Sequence, residues 1–189
     1  INLTNNGVTT INAAEITGAA SINLFASSDT TNFTNLSSGQ TIGLGVTGVA
    51  DQTVGTVNLT LADATGSADV ITFGVNEASS ATLTATGVET VNFVLSNTDT
   101  DIAESSLTIS GVNASTINVS GAAADPTHTL NLNTLDADSA TLDASGYRGL
   151  LTAQGSGTAT SVTLRGGTAH NVTGGAGDDT FTISSGVAQ

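Results

Sequence analysis

The sequence has no cysteine, methionine or tryptophan, a single proline and only six aromatic residues in 189 positions. Without cysteine there is no disulfide framework and no thiolate ligand for a soft metal ion. Because large side chains are so scarce, the core has to be filled by Val, Ile, Leu and Ala, which suit a narrow and regular interior. No apolar run approaches 18 residues, so the sequence predicts no membrane-spanning helix.

Positive charge is nearly absent as well. Arg148 and Arg165 are the only strong cations against 16 acidic residues, which gives a net charge of −14. Such a chain repels nucleic acid and anionic lipid, since binding to phosphates requires clustered Lys or Arg. His128 and His170 have no evident Ser-His-Asp partners, so we predict that the protein is not an enzyme.

What the chain does contain is Thr, Gly, Ser and Asn, which number 34, 22, 20 and 16. β-Branched Thr and Val disfavour helix and suit strands, and the low charged fraction excludes coiled coils. A triplet of apolar, Asn or Asp, and apolar residues recurs, and successive triplets are separated by multiples of roughly 11 to 13 residues. The triplets are Ile11–Ala13, Ile22–Leu24, Val57–Leu59, Val91–Phe93, Ile117–Val119, Leu130–Leu132 and Leu142–Ala144.

Short strands at this spacing indicate an all-β fold, either a solenoid or a β-sandwich. A sandwich of hairpins should contain Asn-Gly or Asp-Gly turns, and Asn6-Gly7 is the only such dipeptide. Stacked parallel coils explain why similar triplets recur, so we predict a right-handed parallel β-helix or β-roll solenoid, with the sandwich as the alternative. Because methionine is absent, we expect residues 1–189 to be one elongated segment of a longer polypeptide.

The sharpest motif lies near the C-terminal end, within a predicted pair of calcium-binding turns at residues 165–182. The run from Gly174 to Thr182 reads G-G-A-G-D-D-T-F-T, which matches the calcium-binding pattern G-G-x-G-x-D-x-U-x. In this pattern glycine carbonyls and one Asp face the cation, which makes Gly174, Gly175, Gly177 and Asp179 candidate ligands.

Other acidic residues occur in predicted turns, where oxygen ligands for a hard cation can converge. We predict Ca²⁺ as the bound ion and name five further candidate ligands: Asp69, Asp99, Asp101, Asp136 and Asp138. The four glutamates, Glu15, Glu77, Glu89 and Glu104, are scattered and are expected to be surface residues.

On residues 174–182 the sequence resembles the repeats-in-toxin class of secreted bacterial proteins. Phrases such as Gly87–Phe93, Gly66–Thr72 and Leu142–Gly146 are similar in style to surface-layer proteins of Caulobacter type. This resemblance implies a calcium-loaded β-helix, type I export to the cell surface and calcium-driven self-assembly into a lattice. It also implies contact with a cell-surface polysaccharide through parts outside this chain.

The sequence departs from the toxin pattern in two neighbouring turns. Residues 156–161 contain no Asp. In the next turn, at residues 165–170, His170 stands at the position where the pattern has Asp. We therefore expect a structural, calcium-stabilised segment of a surface-layer (S-layer) protein, with a calcium-dependent adhesin or biofilm-matrix solenoid as the alternative. An ice-binding solenoid is a further rival because of Thr82, Thr84 and Thr86, although Thr-x-Thr units do not recur at a constant interval.

Overall fold

A computed structural model describes residues 1–4, 6–17, 21–25, 27–45, 52–76, 78–96, 104–109, 114–121, 129–135, 139–155, 159–167 and 169–185. Within these ranges the regular structure is β-strand apart from one 3-10 turn, Ala13–Glu15, which Asn12 caps through its side chain. No helix in the described part of the chain is long and apolar enough to cross a membrane.

The strands form two sheets, and consecutive strands alternate between them. The odd sheet contains β1 (Asn2–Leu3), β3 (Ile22–Leu24), β5 (Thr41–Leu44), β7 (Val70–Val75), β9 (Thr90–Leu95), β11 (Thr116–Gly121), β13 (Thr141–Tyr147), β15 (Ser161–Arg165) and β17 (Thr180–Ser184). The even sheet contains β2 (Thr9–Asn12), β4 (Thr31–Leu36), β6 (Gln52–Leu61), β8 (Ala78–Thr86), β10 (Glu104–Ile109), β12 (Thr129–Thr134), β14 (Leu150–Gln154) and β16 (Asn171–Thr173).

Every pairing between these strands is parallel, and each strand pairs with the strand two further along the chain. The predicted parallel β-solenoid is therefore confirmed, and the β-sandwich alternative is wrong, since a hairpin sandwich is built from antiparallel pairs. The coil length varies. Thr163 pairs with Thr182, 19 residues on, whereas Gly43 pairs with Gly74, 31 residues on.

Alternation along each strand sends apolar side chains inward and polar ones outward. In β9 the side chains of Val91 and Phe93 are buried, while Asn92 between them is only partly buried. Asn92 and Asn118, on neighbouring coils, face outward and are joined by an amide–amide hydrogen bond of 2.9 Å. The recurring triplets thus encode both the core and part of the outer surface.

The core is a narrow layer between the two sheets, filled mainly by aliphatic and alanine side chains. Phe73 and Phe93 stack on adjacent coils with ring centroids 5.6 Å apart. Tyr147 is fully buried, and burial raises the pKa of its hydroxyl. The interior therefore matches the expectation from a sequence that is poor in large residues.

Candidate functional site

The calcium-type motif forms the turn between β16 and β17. Asp179, the last residue before β17, accepts a hydrogen bond on Oδ1 from the backbone N–H of Thr160 on the preceding coil, at 2.9 Å. Its carboxylate lies against the Cα of Gly174, where any Cβ would overlap it. The side chain of Asp179 therefore contacts the preceding coil, and a residue without a Cβ is required at position 174 because the carboxylate lies so close to it.

This turn offers one inward carboxylate, because Asp178 is exposed. Gly175 and Gly177 belong to the same turn, and Gly177 has a φ of 117°, which favours glycine. On the stacked turn of the preceding coil, residues 156–158 lie outside the described residues. The described residues alone do not complete a calcium shell here, since the ion takes six to eight oxygens.

The same position recurs along the solenoid. The residues that immediately precede the odd-sheet strands from β7 onward stack on one another, and we call them the corner row. Its members are Asp69, Glu89, Ser115, Ala140, Thr160 and Asp179.

Glu89 repeats the bond that Asp179 makes. Its Oε2 accepts a hydrogen bond of 2.8 Å from the backbone N–H of Asp69, one coil earlier. The sequence analysis treated Glu89 only as a surface residue and missed this role. A usable signal was present in the sequence. Each of the two carboxylates directly precedes a segment that begins with Thr and then reads apolar, polar, apolar: Thr90–Phe93 after Glu89 and Thr180–Ile183 after Asp179.

Asp69 is the predicted ligand with the most unusual surroundings. Its Oδ2 is buried and has no hydrogen-bond partner, and a Cβ at Gly66 would come within 2.9 Å of it. The carboxylate borders a cavity of about 270 Å³ that is also lined by Ser37, Ser38 and Asp63. A buried, unpaired carboxylate oxygen is costly, and a cation or an ordered water in this cavity would remove that cost.

Asp63 also lines this cavity, and its carboxyl group is ionised. Its carboxylate accepts bonds from the Thr65 hydroxyl at 2.6 Å and the Thr65 backbone N–H at 3.0 Å. The side-chain bond, with the backbone bond second, lowers the pKa of Asp63. Two acidic residues and two serines thus line the cavity, although no group of three or more acidic or histidine side chains with metal-binding geometry occurs within the described ranges.

Four other predicted ligands, Asp99, Asp101, Asp136 and Asp138, lie outside the described residues.

His170 occupies the corner before β16, where the motif predicted Asp. Its Nδ1 accepts from the Leu151 backbone N–H at 3.3 Å, and its Nε2 lies 3.2 Å from the Arg165 carbonyl oxygen. Burial lowers the pKa of His170, and the Arg165 carbonyl partly opposes this shift. The imidazole therefore connects two coils as the corner carboxylates do.

The even sheet carries an outward array of hydroxyl groups. Thr56 lies beside Thr82 and Thr60 beside Thr86. Both pairs join residues 26 positions apart, so coils of equal length place these threonines side by side, although Thr-x-Thr units are unevenly spaced along the whole sequence.

Comparison with known proteins adds no assignment: no family model, curated protein or solved structure matches this chain.

Proposed function

We propose that this chain is a structural, calcium-stabilised segment of a self-assembling extracellular surface-layer protein. The resemblance of residues 174–182 to exported calcium-binding repeats supports the extracellular location and type I export in this proposal. The fold is compatible with it, because a solenoid provides long, regular sheets on which further copies can stack or pack. A structural role also suits outer faces rich in hydroxyl and carboxamide groups.

The observation that carries the proposal is the pair of apolar residues Phe181 and Ile183 on β17, the last strand that the structure describes. Phe181 and Ile183 pair with Val162 and Leu164 of the preceding coil, which are 2% and 6% exposed. Phe181 and Ile183 themselves are 46% and 63% exposed. A coil stacked on β17 would bury both side chains and pair the strand, whether that coil continues this polypeptide or belongs to another copy, and self-assembly is the second of these cases.

The calcium component rests on the corner of Asp69. A cation in the cavity between Asp69 and Asp63 would neutralise the buried oxygen of Asp69 and reduce repulsion in a chain of net charge −14. Ser37 and Ser38 would contribute neutral oxygens. Oxygen ligands of mixed charge are the type that Ca²⁺ prefers.

Imaging by negative stain in millimolar calcium, and again after chelation, tests the assembly. We expect an ordered array or end-to-end filaments with calcium and dispersed particles with chelator. Phe181→Lys should abolish end-to-end association, whereas Val94→Lys, a matched change at an exposed residue on the outer face of β9, should preserve it. Dispersed rods under all conditions would contradict the proposal and favour the calcium-dependent adhesin instead.

The hydroxyl array on β6 and β8 favours a second candidate function, the binding of ordered water or ice. Side chains two residues apart on a strand are separated by about 6.7 Å, and equivalent side chains on neighbouring strands by about 4.8 Å. This regular two-dimensional spacing suits an ordered water layer. Thermal hysteresis that is lost on Thr84→Tyr and kept on Thr163→Tyr, in the odd sheet, would support this function, and absence of hysteresis in the unmodified protein would reject it.

A further inference from the structure

We propose that a groove on the outer face of the even sheet binds a neutral oligosaccharide. This carboxamide groove encloses about 340 Å³ and crosses three consecutive strands, β12, β14 and β16. Its volume is within the range of small-ligand sites, about 300–1,000 Å³. The inference does not rest on self-assembly, because the groove lies on a lateral face of the solenoid.

Two parallel rows of polar side chains border the groove. Strand register places one residue from each of the three strands in each row, so neighbouring members of a row are separated by about 4.8 Å, the spacing of paired strands. The rows are Asn131, Thr152 and Asn171 on one side, and Thr134, Gln154 and Thr173 on the other.

A bulge in β12 separates the two rows. Asn131 pairs with Thr152 and Thr134 with Gln154, so β12 has one more residue than β14 in this interval. The extra residue is accommodated at Asn133, whose φ is 52°, and the backbone N–H of Asn133 donates to Oδ1 of Asn131 at 2.9 Å. A bulge of this kind bends its strand locally, and Asn133 lines the groove.

The chemistry of the lining selects the ligand. All of its polar side chains are carboxamides or hydroxyls, in a protein that otherwise carries 16 acidic residues. Carboxamides and hydroxyls both donate and accept hydrogen bonds, as sugar hydroxyls do, and they offer no counter-charge to an ionic ligand. A linear chain of neutral sugars lying along the solenoid axis would meet similar groups on each coil.

A second bulge of the same kind occurs in β4, and its surroundings explain why binding is assigned to β12. At that bulge Asn35 has a φ of 56°, and its Nδ2 donates to Oδ1 of Asn12 at 2.9 Å. In the groove, by contrast, the exposed carboxamides of Gln154 and Asn171 make no hydrogen bond to the described residues. They remain available to a ligand.

Nuclear magnetic resonance titration with cellohexaose and maltohexaose tests the assignment, with an oligogalacturonate as the acidic comparison. We expect saturable shifts confined to β12, β14 and β16 with at least one neutral hexamer, and none with the acidic one. The double variant Gln154→Ala/Asn171→Ala should weaken binding about fivefold or more, as the loss of two hydrogen bonds implies. All altered side chains are exposed, so folding should be retained, as an unchanged melting midpoint would verify.

The matched control is Thr60→Ala/Thr86→Ala, which removes two exposed polar side chains from the same sheet at β6 and β8. It should leave the affinity unchanged. The assignment is overturned if neither neutral hexamer gives saturable shifts, if the acidic oligomer binds equally well, or if both double variants weaken binding to the same extent.

Discussion

The corners at Asp69–Glu89 and at Thr160–Asp179 occupy the same place in the coil and make the same bond. In each, a carboxylate accepts the backbone N–H of the corner residue one coil earlier. They differ in that earlier residue. At the first corner it is Asp69, with a buried and unpartnered oxygen over a cavity, whereas at the second it is Thr160, which has no carboxylate.

This difference separates two roles of the carboxylate in the calcium-type motif: the connection of neighbouring coils and the binding of a cation. The glycine-rich motif identifies Asp179, but the described residues use this carboxylate to hold two coils together. The less regular segment around Asp69 provides the orphan oxygen that a cation would satisfy. We propose that the carboxylate that connects coils stabilises the fold without calcium and that the carboxylate at the cavity requires it.

The largest expected effect is that of calcium on the unmodified protein. A ligand that binds only the folded state stabilises it by about 2.7 kcal/mol per site at one hundred times its Kd. We therefore expect a higher melting midpoint in millimolar calcium than in chelator, as measured by circular dichroism. Equal midpoints would contradict the binding of calcium at the Asp69 corner.

Replacement of Asp179 by Ala should cost about 1.5–2 kcal/mol of unfolding free energy, because a hydrogen bond to a charged acceptor is lost. This loss should be similar with calcium and with chelator. Asp178→Ala removes the same charge from an exposed neighbour and should have little effect. Equal losses in the two variants, measured by urea unfolding, would show that general charge repulsion governs this turn.

Ala140 offers a way to create a third connecting carboxylate. It belongs to the corner row, is exposed, and its backbone N–H donates to the Ser115 carbonyl at 3.1 Å. Ala140→Asp should place a carboxylate over the Ser115 backbone as Asp179 lies over Thr160, and raise the unfolding free energy by about 0.5–1 kcal/mol. Ala140→Asn is the uncharged comparison. A decrease in stability with Asp alone would mean that added negative charge outweighs the new bond.

The smallest expected effect concerns pH. Burial lowers the pKa of His170 below its ordinary value, so the unfolded chain binds a proton more readily than the folded one. The stability that His170 contributes is therefore present above pH 6.5 and is lost as the pH falls through the lowered pKa. Melting between pH 7.5 and pH 5 should show a smaller decrease for His170→Gln than for the unmodified protein. The opposite ranking would contradict this role.

Much of the fold could be predicted from the sequence because the signal is local. Apolar residues on either side of Asn, as in Val91–Phe93, specify a strand with one buried face, and the repetition of such segments favours stacking. Coil length could not be predicted, since turns of very different size still return the chain to the same register. The 31-residue coil that joins Gly43 to Gly74 is an example.

The site was less predictable because its features depend on contacts between coils. The motif located Asp179 correctly in a turn, but the bond to Thr160 depends on a residue 19 positions away. The orphan oxygen of Asp69 arises from the approach of Gly66 and from a cavity that includes Ser37 and Ser38. A carboxylate directly before a strand marks the residue that makes the bond but not its partner, and the orphan oxygen leaves no pattern in consecutive residues.

Calcium titration by calorimetry on the unmodified protein, Asp69→Asn and Asp179→Asn tests the central claim most directly. Both substitutions remove one negative charge and preserve side-chain size, so general charge effects are matched. The account predicts that Asp69→Asn eliminates one binding event, whereas Asp179→Asn leaves the number of bound ions unchanged. Loss of a bound ion at Asp179 with full binding retained in Asp69→Asn would contradict it.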